Sequence, residues 1–191
     1  MLRAFIGLGS NLANESGDSR QIMRDAITAL KELAIGEIDV SSLYSSSPMG
    51  PQDQPDYINA AAMFNTELSP HELLDQLQAI EQRAGRVRIR RWGERTLDLD
   101  ILVMDQAIHS SIDENITKAL QHKSNMIKIH DERLILPHIG ILDRAFVVQP
   151  LLELDADLVI NEICLAQCAA ASTQDGIHII DGMGWVSLES R

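Results

Sequence analysis

Ser69-Pro70-His71-Glu72-Leu73, running on through Leu74 to Gly85, writes both ends of a helix into the chain. Ser69 is an N-cap residue, Pro70 suits the first helical position, and Glu72 completes a capping box. Leu73, Leu77, Ile80 and Ala84 recur at helical spacing, and Gly85 is placed to stop the helix. On either side the period changes. Residues 57–68 and 96–105 read as strands, so the helix sits inside a strand–helix–strand unit. Towards the N-terminus, Asp18 with Gln21 opens a second helix, with a stripe of Ile22, Ala26, Ala29 and Leu33 and a stop at Gly36. Before it, Arg3 to Asn11 reads as a short strand ending in a tight turn at Gly7-Leu8-Gly9; after it, Ile38 to Tyr44 reads as a strand and 45–56 as a loop. Towards the C-terminus, strand patterns recur at Arg133–Pro137, Ala145–Pro150 and 176–181, with a helical stretch at 163–171. This order, with its short links, predicts an α+β fold: an antiparallel sheet with helices packed on it.

At 191 residues, with 45% hydrophobic and 23% charged residues, the chain has the composition of one globular domain with a real core. No apolar run approaches the roughly 20 residues that span a bilayer. The first residues lack the basic and apolar regions of a signal peptide, so a cytoplasmic location is expected, with no membrane partner. Cys164 and Cys168 read as small core residues rather than as a disulfide or a metal site. The net charge of −12 argues against nucleic-acid binding. The basic residues are unevenly placed, however: six of the 16 lie between Arg83 and Arg95, and all six are arginines.

Directly after them stands Arg95-Thr96-Leu97-Asp98-Leu99-Asp100-Ile101-Leu102-Val103. On a strand, Leu97, Leu99, Ile101 and Val103 point to the core, and Asp98 and Asp100 lie side by side on the other face, about 7 Å apart. Two such carboxylates are either an acidic solvent face or the protein share of a magnesium site completed by phosphate and water. The arginines favour the second reading, because phosphoryl chemistry needs cations around the transferred group. Arg86, Arg88, Arg91 and Arg95 supply them from a loop that also carries Trp92, which either covers a ring or anchors the loop. Tyr57 and Asn59 share a strand face and either fill core or hold a planar heterocycle, with Phe146 as a second ring. His138 and Arg144 together can hold a triphosphate. An arginine-loop RNA-binding module is the competing class, and the net charge counts against it.

These constellations resemble one family, the 6-hydroxymethyl-7,8-dihydropterin pyrophosphokinases of folate biosynthesis. The likeness rests on Gly9-Ser10-Asn11-Leu12, on Gly50-Pro51-Gln52-Asp53-Gln54-Pro55-Asp56-Tyr57-Ile58-Asn59, and on Glu81 with Gly85-Arg86-Val87-Arg88. It continues through Arg91-Trp92-Gly93-Glu94-Arg95-Thr96-Leu97-Asp98-Leu99-Asp100, Pro137-His138 and Arg144-Ala145-Phe146-Val147. The resemblance implies a ferredoxin-like α/β sandwich, ATP as co-substrate, two Mg²⁺ ions, and a pterin whose hydroxyl attacks the β-phosphorus of ATP so that AMP leaves. It implies Asp98 and Asp100 as metal ligands and Arg86 and Arg95 as the catalytic, phosphate-stabilising arginines. Tyr57 and Phe146 become the stacking pair, Asn59 and the backbone near Ser46 and Met49 read the pterin edge, and Asn11 lies on the substrate side. Gln78, Arg88, Trp92, Arg133, His138 and Arg144 become ATP contacts. The likeness spans roughly residues 4–154 of a single domain, 1–191. Residues 107–131 are then a surface insertion and 155–191 a solvent-facing C-terminal extension, and the protein is expected to be a monomer.

Overall fold

The computed structural model describes residues 1–86, 93–106, 126–174 and 176–187. Its frame is β1 (Leu2–Ser10), α1 (Ser19–Lys31), β2 (Ile35–Val40), β3 (Leu43–Ser46), β4 (Tyr57–Thr66), α2 (Pro70–Arg83) and β5 (Asp98–Gln106). Then come a hairpin of β6 (Ile129–His130) and β7 (Ile135–Leu136), α3 (Ala145–Leu154), a hairpin of β8 (Val159–Ile160) and β9 (Ile163–Cys164), the short α4 (Ala169–Ser172) and β10 (Ile177–Asp181). Of the expected insertion, residues 107–125 lie outside the described residues, while Met126 bridges to Asp105 at the end of β5.

Both helix starts are capped as read: Asp18 accepts from the Gln21 amide, and Ser69 and Glu72 form a reciprocal box. α2 ends before Gly85, whose φ of 77° is the left-handed conformation a glycine stop supplies. α1 ends well before Gly36, at Lys31, where the Glu32 amide turns back to the carbonyls of Ala29 and Leu30. Gly36 lies instead within β2, at a slip in register against β4. The single strand expected over 38–44 is two, parted at Ser41 and Ser42.

The sheet runs β10-β3-β4-β1-β5, all antiparallel, with β2 pairing to the far half of β4. α1 and α2 cover one face. Ile22, Met23, Ala26, Ile27 and Leu30 of α1 and Leu73, Leu77 and Ile80 of α2 pack there on Ala4, Ile6, Leu8, Ala60, Ala62 and Phe64. Each fully buried Leu or Ile contributes about 1.5–3 kcal/mol, so this layer holds most of the stability. The opposite face carries Phe5, Ala61 and Val103 under Val148 and Leu151 of α3. Val103 was expected on the same side as Leu99 and Ile101. A β-bulge moves it: β5 has an extra residue between Ile101 and Val103, opposite the Phe5–Ile6 step, so the alternation changes face at Leu102.

Two segments differ from their sequence reading. Residues 145–150, with two valines and a proline, have strand-like local preferences, yet they begin the helix α3. Val148 and Leu151, three apart on a helix, both reach the second face of the sheet, and that packing overrides the preference. The C-terminal extension is not a solvent-facing appendage. β10 forms an edge strand on β3, and the Trp185 ring is only 1% exposed, within the α1 layer, where its Nε1 donates to the Ser41 carbonyl at 2.8 Å.

Candidate active site

The site is built on β1, through Gly7 and Gly9. These glycines are not a turn. They lie within the strand, with Gly7 between Ala61 and Asp100 and Gly9 between Asn59 and Asp98. Their missing side chains leave a trough along the second face of the sheet, with β4 as one bank and β5 as the other. A Cβ on Gly9 would sit 3.6 Å from Asn59 Oδ1 and 3.8 Å from the Tyr57 ring. The β-bulge sends Leu102 to the end of this trough, where a Cβ on Gly7 would meet it at 3.2 Å. The first turn of α3 and the loop before it close the top. The result is a cavity of about 440 Å³.

One bank carries the flat-ring residues. Tyr57 donates through its hydroxyl to the Gly93 carbonyl at 2.8 Å, and burial pushes its pKa up. Asn59 donates from Nδ2 to Ser46 Oγ at 2.9 Å, which fixes its amide orientation. Ser46, Met49 and Phe146 complete this side of the cavity.

The other bank carries the carboxylates. Asp98 is paired with Arg86 and Arg95, so three residues of the expected chemistry meet at one side chain. Arg86 is buried, 9% exposed, and also pairs with Glu81, a buried acid of α2. Glu81 in turn accepts from the Leu99 amide at 2.7 Å, between the two aspartates. Burial raises its pKa despite these partners. Asp100 is different. It makes no hydrogen bond or ion pair among the described residues, and burial, then the neighbouring Asp98 charge, push its pKa up. His138 and Arg144 line the mouth. His138 Nδ1 accepts from the Gly140 amide at 3.2 Å, which puts the neutral imidazole proton on Nε2. The Arg144 guanidinium packs where a side chain at Gly140 would stand, 2.6 Å from such a Cβ.

Ten of the expected residues thus line one cavity: Ser46, Met49, Tyr57, Asn59, Arg95, Asp98, Asp100, His138, Arg144 and Phe146. Arg86 stands just behind Asp98. Asn11 does not reach the cavity as expected of a substrate residue. It is buried, donates to Gln54 Oε1 and the Pro55 carbonyl, and accepts from the Arg95 amide, so it ties two loops together. Gln78 and Arg133 are not in the cavity either; Arg133 pairs with Asp75, one turn before Gln78 on α2. Arg88 and Trp92 lie outside the described residues. The sequence reading gave no role to Glu81 or to Ile139, a rim residue 75% exposed.

Fold and site together define an α+β transferase whose cavity sets a flat-ring bank against a bank of acids and arginines. Comparison with known proteins narrows this. The description of the 7,8-dihydro-6-hydroxymethylpterin-pyrophosphokinase (HPPK) family matches residues 5–156. A Haemophilus influenzae 2-amino-4-hydroxy-6-hydroxymethyldihydropteridine pyrophosphokinase is 46% identical over 160 residues, covering 84% of this chain and 86% of its own length. Its Pseudomonas aeruginosa namesake is 39% identical over 181 residues, covering 94% and 98%. A crystal structure of Plasmodium falciparum HPPK-DHPS superposes with a TM-score of 0.57 at 14% identity. It covers 95% of this chain, which spans 48% of that longer one, and it speaks for the fold alone. The chain belongs to the 7,8-dihydro-6-hydroxymethylpterin-pyrophosphokinase family, the pyrophosphokinases of folate biosynthesis.

Proposed function

We propose that this chain carries out the pyrophosphokinase reaction in the glycine-floored cavity, moving pyrophosphate from ATP to the hydroxymethyl group of 6-hydroxymethyl-7,8-dihydropterin. The observation that carries the assignment is the register at Gly9, which has Asn59 on one side and Asp98 on the other. Ring recognition and charge are therefore one strand apart on either side, so a pterin on the β4 bank has its hydroxymethyl group directed towards the acids. Tyr57 and Phe146 hold the ring, and Asn59, Ser46 and the backbone at Met49 read its edge.

Among the described residues no cluster of three or more potential metal ligands occurs. Two carboxylates with the remaining places left to water and phosphate fit magnesium, and Asp100 is a buried acid with no cation of its own. Asp98 and Asp100 would hold the magnesium, with two ions expected. Magnesium bound there supplies neutralisation of the phosphate oxygens.

The pterin hydroxyl oxygen bonds to the β-phosphorus of ATP. The bond from that phosphorus to the α,β-bridging oxygen breaks, AMP departs with the electron pair, and the hydroxyl proton is released. Arg86 and Arg95, now on Asp98, turn to the phosphates and stabilise charge as AMP leaves. His138 Nε2 and Arg144 hold the triphosphate at the mouth. Gln78 and Arg133, with Arg88 and Trp92 from the arginine segment, are assigned to ATP. The same reading takes the protein as a cytoplasmic monomer. No helix among the described residues is long and apolar enough to cross a membrane.

The test is nucleotide product analysis with ATP, Mg²⁺ and the hydroxymethyl pterin. AMP is expected only when all three are present; ADP as product, or AMP release without pterin, would overturn the mechanism.

A further inference from the structure

The family match ends at residue 156, and the residues that follow reach the cavity from behind. β3 has four residues. On one side it pairs with β4, and without another neighbour it would be a sheet edge. β10 supplies that neighbour. It sets Ile177 opposite Ser46, His178 opposite Ser45 and Ile179 opposite Tyr44, and Ile177 is buried in the joint. The pairing extends one residue past β3: the Ser47 amide donates to the Gly176 carbonyl at 3.1 Å. Ser46 and Ser47 both line the cavity, and Ser46 Oγ is the acceptor that orients Asn59.

The strand is tied down at its far end as well. Trp185 bonds to the carbonyl of Ser41, two residues before β3. The Arg20 guanidinium of α1 pairs with Asp181 at 3.0 Å. The near end depends on Gly176, whose φ of 66° is left-handed. A Cβ there would have ordinary contact with Ser47, 3.6 Å from its Oγ, so a side chain meets backbone strain rather than a clash.

We propose that Gly176 and β10 are the positioning element of the pterin bank: they hold Ser46 and Ser47, and through Ser46 the Asn59 amide, in the arrangement that reads the pterin. The inference rests on the pterin assignment above. It places a determinant of pterin affinity beyond the matched region, in a segment that touches none of the acids or arginines. Strain introduced at Gly176 moves its carbonyl, loosens the Ser47 amide and shifts Ser46. The pterin bank then suffers while the nucleotide side does not.

The experiment compares full-length wild type with Gly176→Ala and Gly176→Val, measuring KM for pterin, KM for ATP and kcat through AMP release. Pterin KM is expected to rise about 5-fold for Ala and about 10-fold or more for the β-branched Val, as left-handed strain dictates. ATP KM and kcat are expected to stay within about twofold. If Val does not fold, Ala, which carries less strain, decides. Ile27→Val, in the α1 layer, lowers stability without touching β10 and is expected to leave pterin KM unchanged. Pterin and ATP KM rising together, unchanged pterin KM in both Gly176 variants, or a pterin KM shift in Ile27→Val overturns the inference while wild-type turnover leaves the pterin assignment standing. No pterin-dependent AMP from wild type overturns both.

Discussion

Glu81 links the helix layer to the acids, and its replacement separates two effects that the structure superimposes. Its Oε1 accepts the Leu99 amide at 2.7 Å and also pairs with Arg86. Glu81→Gln keeps a carbonyl acceptor for Leu99 but turns an NH₂ towards the guanidinium. Arg86 retains Asp98, so the buried cation keeps one of its two partners. The expected cost is about 1–2 kcal/mol, well below the full penalty of breaking a buried pair. Glu81→Ala removes the acceptor as well and leaves the Leu99 N–H unpaired inside the sheet, adding about 1–3 kcal/mol. The Ala variant should therefore be the less stable by at least about 1 kcal/mol, with a total near 3–4 kcal/mol; a domain of ordinary stability survives this. Urea denaturation followed by far-ultraviolet circular dichroism measures both. AMP release should fall further for Ala than for Gln, since the freed Leu99 amide lies between Asp98 and Asp100. Equal destabilisation of the two variants, within about 0.5 kcal/mol, would refute the reasoning, because it would mean that the charge and not the acceptor is what Glu81 provides.

Asp98→Ala and Asp100→Ala should each abolish AMP release while circular dichroism stays native; an active double variant would remove the acids from the mechanism. Trp185→Phe keeps the buried ring but leaves the Ser41 carbonyl without its donor, at a cost of about 1–2 kcal/mol, readable as a lowered Tm; no change in Tm would mean that the bond contributes nothing. Tyr44 has its pKa raised above its ordinary value of 10.0 by burial and then by its hydrogen bond to Glu153. A folded value above the unfolded one favours the protonated native state, so this contribution is complete below pH 10 and is lost as pH rises beyond it. Wild type should therefore lose stability above pH 10 more steeply than Tyr44→Phe; parallel curves would exclude the linkage.

What the sequence disclosed was local. Ser69, Glu72 and Gly85 bound α2 through contacts within a few residues, so its ends are legible without the rest of the chain. Alternation alone put Asp98 and Asp100 on one face, because period 2 is a property of the strand. What it concealed depends on neighbours far along the chain. Gly7 and Gly9 have the composition of a turn, and only the pairing of β1 with both β4 and β5 makes them the floor of a cavity. Val103 left its expected face because of an extra residue that can be counted only against Phe5 and Ile6. Residues 145–150 have strand preferences and fold as helix because the second face of the sheet offers Val148 and Leu151 a place.

Asn11 joins the two kinds of information. Its position after Gly9-Ser10 marks it out in the sequence, yet a role at the substrate would require a free donor or acceptor. The structure uses its acceptor on the Arg95 amide and its amide group on Gln54 and Pro55. A residue whose hydrogen bonds are already committed acts by holding others in place, and here it holds the backbone of a catalytic arginine against the loop that leads into Tyr57. The motif thus located the site correctly and misread the role, because a conserved-looking side chain beside a cavity and one inside it have the same spacing in sequence. Only hydrogen-bond accounting distinguishes them.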